Sequence, residues 1–415
     1  MPNRSQSDRK YNEGVSAYIA GGKNVAASQT FAGYVDVPAA KSRGGIPWYI
    51  WCATVAVTSV MIGGHWDVSW HSSIGRDTFW TPAHMAIYLC GVLSGLTFGY
   101  LILSTTFSSR SPLRHASVNI WGFRAPLGAF IASWGGITML TSAPFDNWWH
   151  DAYGLDVKIV SPPHMLLFLG VYGVLIGTLV LIRGYANRVQ GKDRAVAQWL
   201  FLYVSGMTLV MIMFMIMEFT SRSNLHSSTP YIAVSLLAPL SLATASRATG
   251  KRFPATVVAS IYTAMIVGLI LILPLFPAEP KLGPVYQHVT QFIPPQFPIL
   301  LIVPAVALDL LWHRTQHWNR WALAAVSGIL FVLLLLAVEW PFANFLMSPA
   351  ARNWFFGTKY FWYGLPPGSY SARYLFYTPE TLLVFWRGIG IAILAAVVAT
   401  RVGLSRGEWL QKVQR

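Results

Sequence analysis

Charge is what this chain has least of. Only 11% of its 415 residues are Asp, Glu, Lys or Arg, against about 25% in an average soluble protein. A surface so poor in charge excludes an ordinary soluble enzyme, a disordered tail protein and a nucleic-acid binder. Acids are scarcest, 15 against 30 basic residues. Cysteine is nearly absent: Cys52 and Cys90 both lie inside apolar runs, which excludes a disulfide framework and a CxxC metal knuckle. What fills the chain instead is apolar residues, 54%, with 14% aromatics.

A helix that crosses hydrocarbon needs about 20 mainly apolar residues. Ten runs qualify: 46–66, 83–105, 118–142, 163–184, 197–219, 229–246, 253–275, 295–312, 321–342 and 381–400. The expected fold is all-α, a polytopic membrane bundle of about ten transmembrane helices. The first apolar run begins only near Ile46, so no cleaved leader is expected. Residues 1–45 read as a basic cytoplasmic arm, 46–184 and 185–342 as membrane helices, 343–379 as an aromatic extracytoplasmic loop, and 380–415 as a last helix with a basic tail.

The basic residues set the orientation. With the N-terminus inside, 21 of the 30 Lys and Arg fall in cytoplasmic segments and 7 in outside loops. The net charge of +15 is thus an orientation device, and the expected partners are the lipid bilayer and no nucleic acid. Both termini are expected on the cytoplasmic side.

Against this background the acids are crowded. One outside loop carries Asp67-Val-Ser-Trp-His71, Gly75-Arg-Asp77 and Pro82-Ala-His84-Met85. The next carries Asp146-Asn-Trp-Trp-His150, Gly154-Leu-Asp156 and Pro162-Pro-His164-Met165. Both have the form D-x2-W-H-x3-G-x-D followed by P-x-H-M, an internal repeat of helix-loop-helix units. Asp and His at i and i+4 share one helix face, and a second His arrives behind the proline that opens the following helix. Each unit therefore offers one carboxylate and two imidazoles, donors that suit copper, zinc or non-haem iron. Asp77 and Asp156 are further ligands or acceptors that fix a histidine tautomer. A belt of interfacial aromatics accounts for Trp70, Trp80, Trp148 and Trp149. It does not account for two Asp-His-His sets in one register, since ionisable residues at membrane depth usually serve a purpose.

The spacings are D-x3-H-x12-H for Asp67, His71 and His84, and D-x3-H-x13-H for Asp146, His150 and His164. They resemble the copper-binding C subunit of the particulate methane and ammonia monooxygenases, which carries D-x3-H-x12-H and, downstream, N-x3-H-x13-H. The resemblance covers about residues 60–170, and Asp146 stands where that family has Asn. It implies two copper sites, one on each triad, and a subunit that works with partner membrane subunits, or further copies, on a small apolar or ammonia-like substrate with dioxygen. Two other functions fit the residues: a non-catalytic protein that binds or delivers metal, and a transporter.

Smaller features complete the reading. Gly283 to Pro298, with Gln296 where a histidine would sit, reads as an interfacial loop or a decayed third unit. Glu218, Arg222 and His226 are spaced to share one helix face, either as polar support for the motifs or as a simple salt bridge. Met211 to Met217 alternates methionine, which suits apolar packing. His313 and His317 read as structural. Arg124, Asp309, Glu339 and Arg387 fall within the apolar runs and should face the interior.

Overall fold

The computed structural model describes residues 45–75, 78–154, 161–281, 288–315, 317–361 and 380–415. The N-terminal arm, Asp77, Asp156, most of the 283–288 segment and residues 362–379 of the aromatic loop lie outside these.

Each of the ten apolar runs contains a helix: α1 (Trp48–Ser73), α2 (Pro82–Phe107), α3 (Leu127–Tyr153), α4 (Pro162–Arg188), α5 (Gly191–Met215), α6 (Thr229–Thr249), α7 (Pro254–Ile272), α8 (Ile302–Arg314), α9 (Arg320–Leu346) and α10 (Leu382–Lys412). Seven, α2, α4, α5, α6, α7, α9 and α10, are long and apolar enough to cross a membrane. Their outer faces present large apolar side chains such as Leu96, Phe107, Leu169 and Leu394, a surface suited to lipid rather than water. The helices α1 and α3, which carry the two Asp-x3-His pairs, fall outside the seven.

Four parts differ from the sequence reading. The run at 118–142 opens as a two-stranded hairpin, β1 (Val118–Ile120) and β2 (Phe123–Ala125), before α3 begins. Trp121 and Gly122 both have positive φ, the pair a tight hairpin turn needs. Arg124 therefore sits in an exposed strand and not in a span. The helix of 295–312 is only 13 residues long, because prolines 294, 295 and 298 hold the chain extended before it. Glu218, Arg222 and His226 share no helix face, since α5 ends at Met215 and Arg222–Asn224 is a separate 3-10 turn. Asp309 and Glu339 are buried, as their place in apolar runs requires, but Arg387 is exposed. It lies in the second turn of α10, near enough to the helix end for its long side chain to reach polar surroundings.

Close helix contact is set by small residues. A β-carbon at Gly135 would lie 2.5 Å from Val174 N, and one at Gly177 2.5 Å from Ala132 N. Only glycine lets α3 and α4 meet this closely. At Gly63, one turn before Asp67, a β-carbon would lie 2.9 Å from Ile87 N, so α1 and α2 are clamped in the same manner beside the first motif.

Candidate metal centres

The two motifs are built alike. At the start of α2, Thr81 caps the helix by accepting from His84 N, and Pro82 occupies the first turn. At the start of α4, Ser161 accepts from His164 N, with Pro162 in the same place. Proline there presets φ, and the hydroxyl satisfies an otherwise unpaired amide. The cap fixes each histidine at the third helical position. Its side chain then lies beside the end of the preceding helix.

Both triads converge on their carboxylate. Asp67 Oδ2 lies 3.7 Å from His71 Nε2, and Asp67 Oδ1 lies 3.3 Å from His84 Nε2. Asp146 Oδ2 lies 3.5 Å from His150 Nε2, and Asp146 Oδ1 lies 3.5 Å from His164 Nε2. In each set one carboxylate oxygen faces the intrahelical histidine and the other faces the histidine from across the hairpin. The carboxylates are mostly sheltered, at 20% and 23% side-chain exposure, whereas His71 is open at 42%.

Two donors each about 2.1 Å from one tetrahedral metal ion stand about 3.4 Å apart. The four Asp–His separations cluster around that length, which an ion pair alone also permits. Among the described residues, no three His, Cys, Asp or Glu side chains already form a metal-holding group. The Asp–His contacts therefore supply two edges of each prospective ligand triangle rather than a closed shell. A further observation bears on cation binding: among the described residues, buried Asp146 Oδ1 accepts no hydrogen bond, and His164 Nε2 stands 3.5 Å from it. Oxygen in that state is costly unless a positive charge or donor comes to it.

The support around the first motif was not visible in the sequence. Ser69 Oγ donates to Ile293 O at 2.5 Å, and Ile293 N donates to Ser73 Oγ at 2.8 Å. Lys281 N donates to Ile74 O at 3.1 Å, and Phe292 packs against Trp66 and Trp70. The segment around residues 288–296 thus braces the motif end of α1. Gln296, in place of a third-unit histidine, accepts from Arg222 N at 2.9 Å. His226 belongs to another contact, its Nε2 lying 2.8 Å from Asn344 Oδ1.

No family model, no curated protein and no solved structure matches this chain.

Proposed function

We propose that the chain is an integral membrane copper-binding protein, a monooxygenase-like subunit that supports oxidation of a small apolar or ammonia-like molecule by dioxygen. The reading rests on one observation above the others: two separate hairpins each bring one aspartate and two histidines together, at four Asp–His separations between 3.3 and 3.7 Å. The resemblance in spacing to the methane and ammonia monooxygenase C subunit supplies the choice of copper over zinc or iron.

In this reading Asp67, His71 and His84 hold one ion and Asp146, His150 and His164 the other. Each aspartate contributes the negative charge that a divalent ion requires, and neutral imidazoles complete the set. Bound copper would supply one-electron redox chemistry toward dioxygen. Asp67 and Asp146 orient the imidazoles by facing one ring with each carboxylate oxygen. The Trp66, Trp70 and Phe292 cluster keeps water from the flank of the first centre. The exposed edge of His71 leaves that centre approachable from outside.

That same exposure favours a second reading, a non-catalytic protein that exchanges metal at the membrane surface, because an open ligand eases release. The two separate on one assay. Copper-loaded protein in lipid discs, given a reductant, dioxygen and a short alkane or ammonia, should consume dioxygen in proportion to substrate and yield a hydroxylated product. Full copper loading with no substrate-dependent uptake, after candidate partner subunits are added, leaves the metal-exchange reading in its place.

A further inference from the structure

The face of α1 away from Asp67 and His71 borders a cavity of about 100 Å³. Its walls come from four parts of the chain: α1, the end of α5 with the turn after it, α7, and the extended 293–296 segment. Most of the wall is apolar, including Met213, Phe214, Met217 and Ile266. Two of its lining residues, His65 and Tyr262, have complementary capacities that no atom of the described residues uses.

The first is His65. Its Nδ1 lies 2.8 Å from Met61 O. A carbonyl only accepts, so Nδ1 carries the proton, and Nε2 of the neutral ring presents a lone pair. Turning Nδ1 back to its own helix sends Nε2 away from it. Among the described residues Nε2 has no hydrogen-bond partner, and the ring lies against Phe214 at 4.9 Å between centroids. The second is Tyr262, which is 1% exposed. Its hydroxyl oxygen accepts from Ile299 N at 3.1 Å, leaving the phenolic proton with no acceptor among the described residues. Arg222 also reaches the cavity wall, but its guanidinium already donates to the carbonyls of Thr220 and Phe297.

The other polar side chains on the wall already bond to the protein: Ser69, Ser72 and Thr220 donate to the carbonyls of Ile293, Val68 and Ile216, and Gln296 accepts from Arg222 N. The acceptor of His65 and the donor of Tyr262 together select a group that does both. We propose that this cavity binds a small neutral alcohol. Its hydroxyl donates to His65 Nε2 and accepts from Tyr262, and its carbon chain fills the space beside Met213, Phe214 and Met217. An engineered cavity of about 150 Å³ takes benzene, so this one suits about four or five heavy atoms. A water molecule would satisfy the same two polar groups but leave the apolar remainder unfilled. The site lies on another face of α1 from the triads and does not depend on their holding metal.

The test is a titration of the purified full chain in lipid discs with 1-butanol, read by saturation-transfer NMR, with empty discs subtracted. Methyl propyl ether, its isomer, accepts a hydrogen bond but donates none. Saturable butanol binding is expected, tenfold or more tighter than that of the ether, and weakened at least tenfold in His65→Phe. Tyr262→Phe removes one oxygen from a buried ring, should weaken butanol to a similar degree, and covers the case in which His65→Phe does not fold. Metal content measured on the same Tyr262→Phe sample should match wild type, which keeps this result separate from the metal reading. Equal binding of ether and alcohol, wild-type affinity in both variants, or no saturable butanol signal because the cavity holds only water would each overturn the proposal.

Discussion

His84 Nε2 and Asp67 Oδ1 meet at 3.3 Å across the α1–α2 hairpin, and the contact depends on how closely the two helices run. Gly63 sits one turn before Asp67, where a β-carbon would press within 2.9 Å of Ile87 N and Ile87 Cγ1. Gly63→Val should push α1 off α2 and separate the two donors. Overpacking of this kind costs about 1–3 kcal/mol. The expected result is at least a tenfold loss of copper affinity at the first centre with the second unchanged, measured by isothermal titration of the folded variant. Equal loss at both centres would show that Gly63 acts on the whole bundle.

The caps make a finer adjustment. Thr81 and Ser161 accept from the amides of the two cross-hairpin histidines. Replacing either with Ala should lower stability by about 1 kcal/mol and weaken metal binding at its own centre only. Thr81→Ser keeps the oxygen and should behave as wild type in both thermal unfolding and metal titration.

Asp309 has a structural task that its place in an apolar run did not reveal. It is 2% exposed; Oδ1 accepts from Ala255 N at 3.2 Å, and Oδ2 accepts from Thr256 N at 2.7 Å and Thr256 Oγ1 at 2.8 Å. It thus satisfies the first amides of α7 and sets negative charge at the positive end of that helix. Asp309→Ala leaves those donors buried and unpaired, at a cost of about 1–3 kcal/mol. Thermal unfolding in detergent should show the loss, and metal content per folded chain should stay the same.

One pH effect follows from the turn between α5 and α6. Burial holds the His226 imidazole below its ordinary pKa, with the hydrogen bond to Asn344 opposing this more weakly. The unfolded chain then binds the proton more readily than the folded one, so stability falls as pH drops through about 6.5. His226→Gln retains a group able to bond Asn344 and removes the titration. Its unfolding temperature should vary less between pH 7.5 and 5.5 than that of wild type; an unchanged pH dependence would remove His226 from the account.

The ten helices and the meeting of each aspartate with its two histidines were readable because their signals are local. An apolar run of span length declares itself, Asp67 and His71 share a helix face by spacing alone, and a proline marks where His84 must start the next helix. Features that depend on distant partners were not readable. The hairpin at 118–125 was hidden because its sequence, broken only by Asn119 and Arg124, runs on into the apolar start of α3, and only Trp121 and Gly122 needed left-handed backbone. The i, i+4, i+8 spacing of Glu218, Arg222 and His226 described a helix that had already ended at Met215. The brace from Ile293 to Ser69 and Ser73 joins residues more than two hundred positions apart. His65 and Tyr262, which line one cavity, are likewise far apart in the sequence, and no spacing rule connects them.

The central claim is that two Asp-His-His sets hold copper, and metal content tests it most directly. Protein purified from membranes, repleted with copper and desalted, is measured by mass spectrometry beside His71→Ala, His150→Ala and the double variant. The account predicts about two copper ions per chain, about one in each single variant and none in the double. Zinc or iron in the same stepwise pattern would keep the ligands and remove the copper oxidation chemistry. No metal in the wild-type protein, or wild-type content in the double variant, would contradict the account.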